Sequence, residues 1–200
     1  MTNPRELNFI DRKSNIIYFD LETQKAAQEV GGWSNIKLLK LAVAVTYSTD
    51  NQKYTTFFEP DVDALIDQLK RADCIVGFNL KTFDYVVLAP YTPVALWRLP
   101  TFDMLEHIRR TLGFRVSLDS LAQATLGESK SADGLQSVRW WKAGKINLVA
   151  EYCRKDVEIT KRLHEYACRN HHLLYTDRFG RRGHIDTTGW QSEKGVAFMG

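Results

Sequence analysis

Cysteine is scarce in this chain, and its three copies, Cys74, Cys153 and Cys168, include no C-x-x-C pair. An odd number without that spacing excludes a disulfide framework and a cysteine zinc site, and it fits reduced thiols in a cytoplasmic protein. Long apolar runs are also missing. None approaches the roughly 20 residues of a membrane span, and the opening "MTNPRELNFIDRKS" lacks the apolar core of a signal peptide. There is no Ser/His/Asp signature and no nucleotide-binding fingerprint. His171 and His172 are adjacent rather than one helical turn apart, which argues against zinc, and His164 reads as a packed core histidine. The stretch "GESKSADG" (127–134) lacks the G-x-x-x-x-G-K-[ST] spacing of a phosphate loop. It reads as a flexible loop from which Lys130 and Ser131 can reach a phosphate. No repeat, low-complexity tract or linker divides the sequence.

What is present suffices for one substantial core: 200 residues, 44% hydrophobic and 12% aromatic, read here as a single domain over 1–200. A net charge of +3 tolerates a polyanionic partner without requiring one. The cations gather at Arg98, Arg109, Arg110 and Arg115, and again in "RWWKAGK", where Trp140 and Trp141 alternate with Arg139, Lys142 and Lys145. Aromatics among cations make a single-strand stacking platform. Solvated surface is the simpler account of the cations, and adjacent tryptophans face different ways, so one of the pair packs inward.

Hydrophobic patterning predicts strands at 16–21, 39–48 and 53–59, then an amphipathic helix at 61–72 with Asp61 as N-cap. A buried strand follows at 73–79, then a helix at 81–91 stopped near Pro90. A short strand within 99–105 leads to a helix capped by Asp103 and ended by Gly113. Helices at 117–127 and 147–170 complete a core spanning about 14–170. A hairpin over 171–190, turning at 178–180, and a mobile tail at 191–200 follow. The order β-β-β-α-β-α-β-α-α-α gives an α/β fold: a mixed five-stranded sheet, with a three-strand antiparallel meander plus two parallel strands and helices on both faces. Sites in such sheets gather where the carboxyl ends of strands open into a crevice.

Asp20 and Glu22 lie at such an end, in "IIYFDLETQ". Two apart in extended backbone, they leave the same face. At about 4 Å their repulsion is on the order of 4 kcal/mol at an effective dielectric of about 20, so something must offset it. Asp84 sits in a strongly apolar helix, where it is either a first-turn residue favoured by the helix dipole or part of a site. Asp156 shares the inward stripe of the last helix with Val149, Tyr152, Cys153, Val157, Thr160, Leu163, His164 and Ala167. A carboxylate there costs several kcal/mol of desolvation unless it is paired or binds a metal. Its neighbours Arg154 and Lys155 project elsewhere. Four carboxylates on three elements suggest an oxygen-lined site for Mg²⁺ or Mn²⁺. Two such ions about 3.5–4 Å apart can clamp a phosphodiester during in-line displacement.

"FDLE" (19–22), "NLKTFD" (79–84) and "YCRKD" (152–156) resemble the three motifs of DEDD exonucleases. Tyr152 makes the chain similar to the DEDDy branch of the ribonuclease H-like superfamily, which includes proofreading domains of DNA polymerases. The histidine of the DEDDh branch would stand where Glu151 does. The wider pattern through "LDSLAQATLGESKSADG" and "WWKAGKI" resembles stand-alone predicted 3′–5′ exonucleases, covering roughly 16–170.

The resemblance implies a 3′–5′ exonuclease that cuts single-stranded nucleic acid from a free 3′ end to 5′-mononucleotides with two divalent cations. Asp20, Glu22 and Asp156 would hold the first ion, while Asp20 and Asp84 would serve the second. Tyr152, whose ordinary pKa is about 10, would position the attacking water. Asn79 and Phe83 would flank the terminal nucleotide, with Leu21, Thr23, Lys130 and Trp140 as further candidate contacts. The segment "TQKAAQEVGGWSNIK" after Glu22 is longer than the tight hairpin of many proofreading domains. It forms either a flap hinged at Gly31 and Gly32 or an inert loop. A structure-specific endonuclease on the same fold and a catalytically silent binding module are the rival readings.

Overall fold

The computed structural model describes residues 14–128, 134–177 and 179–190. Its central strand, β1 (Ile16–Thr23), is an apolar run because both of its faces are covered. On one side it pairs antiparallel with β2 (Leu41–Ser48), which pairs antiparallel with β3 (Lys53–Phe58). On the other it pairs parallel with β4 (Cys74–Gly77), and β4 pairs parallel with β5 (Thr101–Asp103). The order β3-β2-β1-β4-β5 is the mixed five-stranded sheet expected from the sequence.

Period-two alternation along β1 sorts its side chains into two cores. Ile17, Phe19 and Leu21 pack with α1 (Val62–Lys70) and α2 (Asp84–Leu88). Ile16 and Tyr18 pack with α3 (Met104–Leu112), α4 (Leu118–Leu126) and the long helix near the C-terminus. The element following α4 is α5 (Gly134–Lys142), a helix the sequence pattern does not announce. Its aromatic and β-branched residues are modest helix formers, and packing of Ser137, Val138 and both tryptophans against the core supplies what propensity lacks. Trp140 and Trp141 are both half-buried there, packed against the core. The long helix is α6 (Ile146–Asn170), and a separate two-stranded sheet, β6 (His172–Thr176) and β7 (Arg182–Asp186), follows it.

Two boundaries differ from expectation. The helix expected over 81–91 shrinks to Asp84–Leu88 plus a 3-10 turn at Ala89–Tyr91. Asn79 adopts a left-handed φ of +74° and Phe83 is non-helical, so the chain loops out before Asp84. Asp61 precedes α1 but its carboxylate does not cap it. Its Oδ2 accepts instead from the Phe58 N–H at 3.1 Å, closing a 3-10 turn. The tail 191–200 lies outside the described residues, and no helix among them is long and apolar enough to cross a membrane.

His164 is 1% exposed, its Nδ1 is 3.1 Å from the Tyr18 hydroxyl, and its ring packs near Phe102 and Trp190. Burial holds its pKa down at about 3, against an ordinary value of 6.5. The folded state therefore resists a proton that the unfolded chain accepts. Stability from this group is full above about pH 6.5 and is lost as pH falls toward 3, at about 1.4 kcal/mol per pH unit. Thermal melts between pH 7 and 4.5 should show the wild-type Tm falling with pH, and His164→Gln should have a shallower slope. Equal slopes would contradict the assignment.

Candidate active site

The site forms where β1 ends. Pairing with β2 stays regular through Asp20 opposite Val45 and Glu22 opposite Val43, and the register shifts only between Glu22 and Thr23. Both carboxylates therefore keep the face of Ile16 and Tyr18, the one packed by α6. On α6, Tyr152 and Asp156 are 5% and 4% exposed, one turn apart on the buried stripe. Oxygens of Asp20, Glu22 and Asp156 all lie within 4.8 Å of one another. The cations beside Asp156 turn elsewhere: Lys155 pairs with Glu128 at 3.2 Å and Glu158 at 3.3 Å, and the Arg154 guanidinium sits 4.6 Å from the Tyr54 ring centre.

Asp84 arrives from the opposite layer. It is the first residue of α2 and 2% exposed, and its Oδ1 accepts from the Leu21 N–H at 3.1 Å. That bond pins it to β1 between the two strand carboxylates. Burial, and then the nearby charge of Asp20, push its carboxyl well above the usual carboxylate range. Asp84 is thus a member of the acidic group rather than an isolated first-turn residue.

A cavity of about 850 Å³ is lined by Asp20, Glu22, Asp84, Tyr152 and Asp156 together. Asn79, Phe83, Leu21 and Thr23 also line it. The Leu21 side chain packs into the α1–α2 core and the Thr23 hydroxyl donates to the Lys25 carbonyl at 2.9 Å, so both have structural duties. Trp140 does not line the cavity. It meets Tyr152 edge-on, with ring centres 6.1 Å apart, and so bears on the site through that tyrosine. Lys130 and Ser131 lie outside the described residues.

Two contributors escaped the sequence reading of the site. The Cys153 thiol approaches the Asp20 carbonyl at 3.3 Å and its Oδ2 at 3.5 Å, tying α6 to β1 beside the carboxylates. Burial and the charges of Asp20, Glu22 and Asp156 raise its pKa well above normal, so it stays a thiol. Its place on the inward stripe was the available signal. Asp103, foreseen as a helix cap, also accepts from Asn79 N–H at 2.9 Å and Lys81 N–H at 3.0 Å. Its carboxylate thus holds the Asn79–Asp84 loop to the end of β5, a link only the topology reveals.

The insertion after Glu22, expected as either a flap or an inert loop, lines the cavity. Two 3-10 turns, Ala27–Val30 and Trp33–Leu38, form one wall of the cavity through Lys25, Ala27, Trp33 and Ile36. Its neck is closed by Gln24 N–H to the Lys40 carbonyl and Lys25 N–H to the Leu39 carbonyl. Gly31 and Gly32, at φ +82° and +109°, join the two turns rather than hinge the segment. Trp33 is 68% exposed, with its ring centre 6.4 Å from that of Phe83.

A family model described as the RNase_H superfamily matches residues 17–168. The chain belongs to that superfamily. A search of the curated proteins finds no match. Among solved structures, exonuclease I in complex with the inhibitor BCBP is similar at 15% identity and a TM-score of 0.51, covering 79% of this chain and 42% of that one. E. coli exonuclease I with a 5cy-dT13 oligonucleotide is 14% identical with a TM-score of 0.45, covering 79% and 41%. The zinc-bound E. coli exonuclease I–ssDNA complex is 14% identical with a TM-score of 0.45, covering 88% and 51%. The chain thus spans about half, or less, of the length of these structures, and at such identities the likeness concerns the fold.

The clustered oxygens suit a hard divalent cation, which would relieve their mutual repulsion. Mn²⁺ should raise the wild-type Tm by several degrees over its value in EDTA. Asp156→Asn, with one charge removed, should melt about 2–4 °C higher than wild type in EDTA, as expected for about 1 kcal/mol in a chain of this size. The same variant should lose most of the Mn²⁺ response. An Mn²⁺ response of wild-type size in Asp156→Asn would remove this residue from the ion site.

Proposed function

We propose that the chain is a metal-dependent 3′–5′ exonuclease that hydrolyses single-stranded DNA or RNA to 5′-mononucleotides. The observation that carries this reading is the convergence of Asp20, Glu22 and Asp156 from two elements, with Asp84 beside them from a third, around one cavity that also contains Tyr152. The solved structure of similar fold named exonuclease I supports the same class of reaction.

In this reading Asp20, Glu22 and Asp156 would hold one Mg²⁺ or Mn²⁺ ion, and Asp84 would help Asp20 hold a second. When bound, the ions supply charge neutralisation at the phosphate and make water more acidic. The remaining work falls to side chains of this chain. Tyr152, held by Trp140 and by burial, presents its hydroxyl to orient the attacking water. Water attacks phosphorus, the bond to O3′ of the penultimate nucleotide breaks, and the leaving oxygen takes a proton to become a free 3′-hydroxyl. The terminal residue leaves as a 5′-mononucleotide. Asn79 offers hydrogen bonds to that nucleotide and Phe83 a face for its base or sugar. Trp33, exposed beside Phe83, lies on the wall formed by the insertion.

Oligonucleotides of DNA and RNA labelled at either end, incubated with Mg²⁺ or Mn²⁺, test the reading. A 5′-labelled strand should shorten in single-nucleotide steps, while a 3′ label should be released at once as a mononucleotide. Fast cutting of single-stranded circles would favour an endonuclease instead, and binding without any cleavage would favour a silent module. Asp20→Ala should lower kcat by at least a thousandfold. Tyr152→Phe should slow kcat by roughly ten- to a thousandfold while the Mn²⁺ dependence of Tm stays near wild type. An undiminished rate in Tyr152→Phe would take this residue out of the chemistry.

A further inference from the structure

A second cavity of about 590 Å³ adjoins the acidic one, and Arg115 and Ser117 line both. Its far side is built by Phe179 and Arg181 from the β6–β7 turn, with Phe114 beside Arg115. Phe114 is 43% and Phe179 67% exposed, so two rings on the lining of one cavity are open to a ligand. Arg181 lies over Phe179 at 5.2 Å from the ring centre, and Arg115 makes no ion pair among the described residues. Aromatic faces interleaved with guanidinium groups, continuous with a cleft that ends in carboxylates, match a polyanion carrying flat bases.

The turn is built to hold these groups still. One carboxylate oxygen of Asp177 accepts from Phe179 N–H at 2.8 Å and Arg181 N–H at 2.9 Å, and the other pairs with Arg181 Nε at 2.7 Å. The Asp177–Arg181 pair therefore orients the guanidinium and offsets part of its charge within the turn. The hairpin is fastened to α4 by two hydroxyl clamps. Ser120 Oγ donates to the Thr176 carbonyl at 2.6 Å and accepts from its N–H at 2.9 Å. Thr125 does the same for Leu174, donating at 2.9 Å and accepting at 2.9 Å. These hydroxyls satisfy an edge strand as a neighbouring strand would, and they fix the turn against the helix that follows Ser117.

We propose that this second cavity is the track for the upstream, 5′-ward nucleotides of a single strand whose 3′ end lies among the carboxylates. Phe114 and Phe179 stack bases, and Arg115 and Arg181 meet phosphates. The proposal rests on the nuclease reading and deepens it, because it makes the C-terminal hairpin a substrate-binding element that favours longer strands.

The test is the ratio of kcat/KM on dT8 to that on dT2, measured for wild type, Phe179→Ala/Arg181→Ala, Arg115→Gln and Phe179→Trp. A ratio is insensitive to the fraction of folded protein. It should fall roughly five- to a hundredfold in the double variant, the span expected from losing one stacked base. It should fall less in Arg115→Gln and be largely kept in Phe179→Trp, which retains a ring. Anisotropy of labelled dT8 in EDTA should show the same ranking of affinity. Equal ratios and equal dT8 affinities in wild type and the double variant would overturn the track. Absence of turnover by wild type on every oligonucleotide would overturn the nuclease reading instead, and the anisotropy ranking would still decide the track.

Discussion

Three carboxylates whose oxygens lie within 4.8 Å repel one another by on the order of 3 kcal/mol per pair at an effective dielectric of about 20. Solvent on the open side of Asp20 and Glu22 reduces that figure, but Asp156 and Asp84 are buried and gain little from it. A single domain's net stability is itself only about 5–15 kcal/mol. Such a cluster persists only where the surrounding packing over-determines it. Here the groups come from β1, which lies between the two cores, from α6 in one core and from α2 in the other, so moving one carboxylate away would disturb a whole layer. The raised pKa of Asp84 registers the same conflict, since burial and the charge of Asp20 both disfavour its ionised form. A cation would reverse that preference, and this is why an oxygen-lined metal site accounts for the cluster better than chance burial does.

Positioning depends on a small number of polar links that do not ionise or are already paired. The Cys153 thiol joins α6 to Asp20, the Leu21 N–H joins β1 to Asp84, and Asp103 joins β5 to the loop carrying Asn79. Asn79 adopts its left-handed conformation where Asp103 grips the backbone. Strain of this kind survives only when neighbours enforce it. Gly77 serves the same loop, because a Cβ there would lie 2.5 Å from the Leu80 side chain.

Much of this was legible in the sequence where a local pattern and a tertiary position coincide. Period two placed Asp20 and Glu22 on one face, and period 3.6 placed Tyr152 and Asp156 on the buried stripe of α6. The mixed sheet followed from element order and short connections. What escaped was structure fixed by contacts distant in sequence. The α5 helix has weak local preference and stands because Trp140 and Trp141 pack on the core. Asp61 looked like a helix cap, but the 3-10 turn before α1 claimed its side chain. The bracing role of Asp103 needs β4 and β5 to be neighbours, something no window of residues displays.

The two segments least constrained by the sheet do the most to shape the cleft. The insertion between β1 and β2 walls the acidic cavity, and the β6–β7 hairpin walls the one beyond Arg115. Both are anchored away from the carboxylates. A backbone neck and the Glu29–Lys142 ion pair hold the insertion, while Ser120 and Thr125 hold the hairpin. Neither segment bears the electrostatic load of the acidic cluster. Under the proposed function, changes within them would alter which strands fit, and how long they are, while leaving the carboxylate geometry in place. That division lets a common scaffold carry different substrate preferences. Under the proposed function it places the determinants of strand preference at Trp33 on one wall and at Phe179 and Arg181 on the other.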